Sequence, residues 1–244
     1  MHLLKKNIVI TGGTSGIGRQ LVDKLAADNQ LIVMGRDALK LNELSNQYPT
    51  ISTYLCDLAD LDSVEQVADQ MTKNNPSIDV LINNAAVQFT PKFMDNDFRF
   101  ESIKYEITVN LTAICYLIYL LLPSLTNESR RAIILNVSSA LGMVPKTNSA
   151  IYCATKGGLN ILSQSLNYQF EGSNIRVLQA ILALVDTPMT AGRGQEKMTA
   201  EHAASAIIDG IEHEIKKNFI GKAKLLNTIH YLFPPLAHKI LKKY

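Results

Sequence analysis

Apolar residues fall in short unbroken runs along this chain, a pattern that few architectures can bury. Ile8-Val-Ile10, Leu31-Ile-Val-Met34, Val80-Leu-Ile82 and Ile133-Ile-Leu135 carry no polar residue at alternate positions. A strand with one wet face alternates; a strand like these is buried on both faces, as in a parallel sheet covered by helices. Extended segments are read over 7–11, 31–34, 52–56, 79–83, 132–137 and 175–181, with Phe219-Ile220 a short addition. Helical periodicity fills the intervals at 19–27, 38–47, 61–73, 101–122, 151–170 and 199–216. No Pro/Gly/Ser-rich linker, internal repeat or low-complexity tract divides the series. The pattern predicts one α/β domain, a doubly wound parallel sheet of six to seven strands with helices on both faces. A length of 244 residues and a hydrophobic content of 47% supply the core.

Composition excludes several classes. A net charge of +2 gives no electrostatic case for nucleic acid. Cys56, Cys115 and Cys153 are odd in number, widely spaced and without a CxxC pattern. They read as reduced thiols, with no disulfide frame and no metal site expected. Met1 runs straight into a strand-like segment, with no signal-peptide pattern. The longest apolar run, Ile114 to Leu122, is too short to span a bilayer and ends at Pro123, so a buried or interface helix is expected. These features together predict a cytoplasmic enzyme.

The chemistry is carried by separated motifs. Thr11-Gly-Gly-Thr-Ser-Gly-Ile-Gly18 lies after a strand and before a helix. Gly12, Gly16 and Gly18 there allow the tight turn and the close approach of a pyrophosphate to a helix N-terminus, as in Rossmann-type dinucleotide sites. Asp57, after the third strand, suits an adenine amino group. Tyr152 and Lys156 stand one helical turn apart, so a cation can sit beside a phenol. A nearby positive charge lowers a phenol's pKa toward the range useful for acid–base catalysis. Each motif alone has a bland reading: a capped helix, a turn Asp, a chance Tyr/Lys pair.

In combination they do not. With Asn83 to Ala86, Asn110, Ser138-Ser139 and Val185-Asp-Thr187, the chain resembles the short-chain dehydrogenase/reductase family over about its first 220 residues. Within it, Leu184-Val-Asp-Thr187 and Tyr152-Cys-Ala-Thr-Lys156 are similar to a bacterial oxidoreductase subgroup typified by DltE. The resemblance implies carbonyl–alcohol interconversion by hydride transfer, with Tyr152 as general acid or base. It implies that Lys156 depresses the Tyr152 pKa and bonds the nicotinamide ribose, that Ser139 bonds the substrate oxygen, and that Asn110 holds a water leading to Lys156. Cofactor contacts are implied for Gly12, Thr14, Ser15, Gly16, Ile17, Gly18, Asp57, Leu58, Asn84, Ala85 and Thr187, besides Tyr152 and Lys156.

Cofactor choice turns on Arg36. An acidic residue ending the second strand selects NAD, whereas a guanidinium suits the 2′-phosphate of NADP. Gly35-Arg36 stands there, so NADP(H) is favoured over NAD(H), although no basic residue lies inside the glycine loop and Asp37 follows one step later. Two departures from the family are Ala86 for a glycine and Leu182-Ala183 for a Pro-Gly pair, the latter altering a turn beside the reacting ring. Gln88, Phe89, Met94, Met143, Val144, Lys146 and Met189 are the expected pocket, fitting an aliphatic or aromatic carbonyl better than a polyanion. Residues 1–221 form the catalytic domain, and 222–244 a basic amphipathic extension broken at Pro234-Pro235. That tail is expected to pack near the substrate entrance, with membrane-surface contact the lesser alternative. A homodimer or homotetramer through the long helices is implied by the resemblance. A non-catalytic dinucleotide-binding regulator or scaffold is the alternative function, hinted at only by Leu182-Ala183.

Overall fold

In the computed structural model, which describes residues 1–126 and 129–243, each apolar run is a strand. Six follow in chain order: β1 (Asn7–Thr11), β2 (Gln30–Gly35), β3 (Ser52–Leu55), β4 (Val80–Asn83), β5 (Ala132–Ser139) and β6 (Ile175–Leu182). A two-residue pair, β7 (Val185–Asp186) and β8 (Met198–Thr199), precedes β9 (Lys217–Ile220). The main sheet is seven-stranded and parallel throughout, in the order β3-β2-β1-β4-β5-β6-β9. Ile8 faces Leu31 on one side and Val80 on the other, which fixes the central register. The order reverses between β1 and β4, which opens a crevice at the carboxyl ends of these two strands.

Helices α1 (Gly16–Leu25), α2 (Ala38–Gln47) and α7 (Ala200–Glu212) cover one face. There Ile8, Ile10 and Val33 meet Leu21 and Val22 of α1 and Ile207 of α7. Helices α3 (Leu61–Asn74), α4 (Phe100–Ile107), α5 (Ala113–Leu125) and α6 (Ala150–Gln169) cover the other. There Val9, Ile32 and Leu81 meet Met71, Leu117, Leu121 and Leu159. Neighbouring residues of one strand thus serve opposite cores, which is why the runs are apolar without alternation. Side-chain caps start α2, α3 and α7: Asp37 accepts from the Lys40 N–H, Asp60 from Asp62 and Ser63, and Thr199 from His202. Helix α7 ends at Glu212, four residues earlier than its periodicity predicts, and Glu214 then turns the chain with a φ of +49°.

The expected helix over 101–122 is longer and less regular. It runs from Phe100 to Leu125, 26 residues, through a π-helical turn at Thr108–Thr112 and past Pro123 without stopping. By length and composition it could cross a membrane, which the shorter run Ile114–Leu122 does not suggest. Its inner face, including Val109, Ala113, Leu117 and Leu121, is nevertheless buried against the sheet, as a core helix requires. The tail forms α8 (Lys222–Leu232) and α9 (Pro234–Leu241), divided where Pro234-Pro235 predicts. Ala223 and Leu226 of α8 pack with Ala140, Ile181 and Phe219 beside the crevice. Tyr244, the last residue of that segment, lies outside the described residues.

Candidate active site

Between Thr11, which ends β1, and Gly16, which starts α1, the chain must reverse in four residues. Gly12 and Gly16 turn it with φ of +69° and +53°, where side chains are strained. A β-carbon on Gly18 would stand 2.1 Å from the Gly12 carbonyl oxygen. Asn84 clamps the turn, its Nδ2 donating to the Thr11 carbonyl at 3.0 Å and the Gly12 carbonyl at 3.3 Å. The Thr11 hydroxyl accepts from the backbone N–H of Asn84 and of Ala85, both at 3.0 Å. The N-terminus of α1 is left without a side-chain cap, since Ser15 makes none. An uncapped, positively polarised helix start at the rim of a glycine turn fits a pyrophosphate.

A cavity of about 1390 Å³ opens in front of it, above the carboxyl ends of the strands. Gly12, Thr14, Ser15, Gly16, Ile17, Arg36, Asp57, Leu58, Asn84, Ala85, Ser139, Tyr152, Lys156 and Thr187 all line it. Gly18 and Asn110 are absent from the wall and act from behind it. At the far end Arg36 Nη1 donates to the Tyr105 hydroxyl at 2.6 Å. Asp37 is turned away, holding the Lys40 N–H at 3.1 Å. Asp57 accepts from the Ala59 N–H at 2.9 Å. The residues present therefore fit a nicotinamide dinucleotide, and at this end the arginine faces the cavity while Asp37 does not line it.

At the near end, successive residues of β5 point opposite ways. Ser138 donates to Asn160 Oδ1 at 2.6 Å, toward α6. Ser139 faces the cavity beside Tyr152 and accepts from the Leu141 N–H at 3.1 Å. Lys156 Nζ donates to the Val137 carbonyl at 2.8 Å and lies 5.8 Å from the centre of the Tyr152 ring. Burial pushes the Tyr152 pKa up to about 12, against the opposing pull of the Ser139 hydrogen bond. Burial likewise pushes Lys156 down to about 8. Lys156 thus stands beside the Tyr152 ring with its ammonium on the Val137 carbonyl, and desolvation is the largest influence on the phenol.

Asn110 is tied to α6 as well. It sits in the π-helical turn, fully buried, and its side-chain amide is engaged by protein. Oδ1 accepts from the Val87 N–H at 2.9 Å, while Nδ2 donates to the Val87 carbonyl at 2.8 Å and Thr155 Oγ1 at 3.3 Å. The side chain thereby ties the strand loop after β4 to α6.

The expected substrate wall needs revision as well. Gln88, Lys146 and Met189 line the cavity, but Phe89, Met94, Met143 and Val144 do not. Met94 is 96% exposed and Val144 fully buried, each of no use to a substrate. Arg193 joins the wall instead, bonded to Gln88 Oε1 at 3.0 Å. A second residue that sequence reasoning missed is Glu106, 2% exposed, accepting from the Phe89 N–H at 3.2 Å and pushed by burial to about 7. A Glu in a helix reads as a solvated face, and only the crossing of α4 over the loop after β4 buries it. Leu182, in place of proline, pairs with Ser139 on β5 and Ile220 on β9. A proline there would remove a ladder donor; leucine carries β6 one residue further toward the cavity.

Comparison with known proteins agrees with this geometry. Residues 6–198 match the short chain dehydrogenase family. An uncharacterized oxidoreductase, DltE, of Bacillus subtilis is 30% identical over 93% of this chain and 90% of its own. A short chain dehydrogenase from Burkholderia cenocepacia, solved with NADP, superposes with a TM-score of 0.87 at 21% identity, covering 99% of both chains. A short chain dehydrogenase/reductase from Burkholderia phymatum, solved with NAD, gives 0.86 at 18% identity over 97% of this chain and 96% of that one. The chain belongs to the short-chain dehydrogenase/reductase family. It is a dinucleotide-dependent oxidoreductase that interconverts a carbonyl and an alcohol, and nothing in the site favours the non-catalytic alternative.

Proposed function

We propose that the chain is a carbonyl reductase that uses NADP(H) in preference to NAD(H). The observation that carries the reading is the placement of Ser139, Tyr152 and Lys156 together on the cavity wall, with the Tyr152 phenol protonated at neutral pH. A protonated phenol is a general acid, as reduction of a carbonyl demands. The dinucleotide, when bound, supplies the hydride. Ser139, on the same wall as Tyr152, orients the substrate oxygen and stabilises the charge that develops on it. Tyr152 then delivers its proton to that oxygen. Lys156, held by the Val137 carbonyl, offsets the charge left on the phenol and reaches the nicotinamide ribose. Asn110 holds Val87 and Thr155 in place around this group. Gly12 to Gly18 and Asn84 shape the pyrophosphate seat, Asp57, Leu58 and Ala85 border the adenine side, and Thr187 borders the nicotinamide.

The cofactor preference rests on Arg36, whose guanidinium stands at the end of β2 while Asp37 is spent on capping α2. A charge-assisted bond to phosphate contributes on the order of 1.5–3 kcal/mol. Arg36→Ala should therefore weaken NADPH at least tenfold more than NADH in a fluorescence titration. Equal losses would remove Arg36 from the 2′-phosphate. A panel of aldehydes and ketones, followed by NADPH absorbance, tests the reductase reading directly. The reading extends to a cytoplasmic homodimer or homotetramer, supported by exposed Tyr119 on α5 and Ile161 and Tyr168 on α6.

A further inference from the structure

Tyr152 and Ser139 act on a carbonyl whatever the rest of the substrate is; the wall beside them is more selective. Lys146, in the loop before α6, and Arg193, in the segment between β7 and β8, both line the cavity. Both are partly buried, and the positive charge of Arg193 reaches both Lys146 and Tyr152. Neither cation takes part in an ion pair among the described residues. Arg193 is held by the neutral Gln88. Of the other cations on the wall, Lys197 pairs with Asp186 at 3.2 Å and Lys222 with Glu196, while Lys156 is held by the Val137 carbonyl and Arg36 by the Tyr105 hydroxyl. Glu106 is off the cavity wall, occupied by the Phe89 N–H.

Two like charges in a shared, partly desolvated wall repel each other, and burial together with Arg193 lowers the Lys146 pKa. An anion between them would relieve both costs. We propose that the substrate carries a carboxylate, which sits between Lys146 and Arg193 while its carbonyl lies against Tyr152 and Ser139. The guanidinium fork suits a planar carboxylate, and Gln88 fixes its orientation. The proposal rests on the reductase reading above.

Straight-chain oxo acids of increasing length, each paired with its methyl ester, test it with the intact protein and NADPH. At the best length the acid should exceed its ester in kcat/KM by roughly tenfold or more. Lys146→Met and Arg193→Met should each lower that acid-to-ester ratio about tenfold, and Arg193→Lys should retain most of it. A ratio near one at every length, or a ratio that both Met variants leave unchanged, overturns the proposal. Binding of the same acids to the protein–NADPH complex, read from nicotinamide fluorescence, separates the two readings. Acid binding that the Met variants abolish, without any turnover, supports the anion site and sinks the reductase reading. Reduction of uncharged carbonyls without acid binding does the reverse, and no acid binding at all overturns the site.

Discussion

A phenol pushed by burial to about 12 and an ammonium pushed to about 8, one helical turn apart on the cavity wall, define what Tyr152 and Lys156 can do. Tyr152→Phe removes only the proton donor, so turnover should fall by roughly 10²-fold or more while dinucleotide affinity, measured by titration, stays within a factor of two or so. Retained reduction by that variant would strike Tyr152 from the mechanism. Glu106 gives a prediction of stability. Its folded pKa, about 7, lies above the ordinary carboxylate value, so the folded state holds the proton more tightly than the unfolded chain. The neutral form therefore stabilises the fold fully below the unfolded pKa, and this is lost as pH rises through 7. Glu106→Gln keeps an acceptor for the Phe89 N–H and should raise the melting temperature at pH 8 but hardly at pH 4.5. The gain should be on the order of 3 kcal/mol or less; equal effects at both pH values would show that the carboxylate is not desolvated. None of these three pKa directions was legible from spacing, since burial depends on what crosses above a residue.

Strands and turns were far easier to read, for a physical reason. Residues such as Val9 and Ile10 serve cores on opposite faces, so the middle of β1, Ile8 to Ile10, had to be apolar. The glycine turn was legible because its constraints are local, and Gly18 shows how tight they are. Gly18→Ala would drive a β-carbon to 2.1 Å from the Gly12 carbonyl, so the turn must shift. We expect at least a tenfold loss of dinucleotide affinity and a lower melting temperature by several degrees. Unchanged binding by calorimetry would mean that the turn is more pliant than its geometry indicates. By contrast, β7 and β8 escaped notice because two residues carry no periodicity. Pro123 also misled: near a helix end its missing N–H costs one bond, and the tertiary packing of Leu121 and Leu125 outweighs it.

Assembly of the tail onto the domain joins stability to access. Leu225, Leu226 and Ile229 of α8 and Ile240 and Leu241 of α9 reach the cavity, so the two helices wall its entrance. Ala223 is fully buried, whereas Tyr231 and Phe233 remain outside at 84% and 62% exposure. Truncation after Gly221 should lower the melting temperature and raise KM for the carbonyl more than for the dinucleotide. If the truncated protein keeps both, and only the full chain sediments with anionic liposomes, the tail is a membrane anchor and not a wall. The expected site was legible as a set of cavity-lining residues, but its substrate side was not. Arg193 lies in a segment without regular structure, and only the folded chain brings it to Lys146 and Gln88.

The π-helical turn at Thr108–Thr112 holds one residue more than an α-helix would place there. Deleting a single residue from it would let α4 and α5 fuse into a regular helix, with better backbone hydrogen bonds. The halves on either side would keep their facing, but the residues inside the turn would be re-aimed, pulling Asn110 from Val87 and Thr155. The irregularity is thus a local instability that the fold tolerates to aim one buried amide. A lineage of this chain selected for heat resistance alone should erase it and lose activity in the same step.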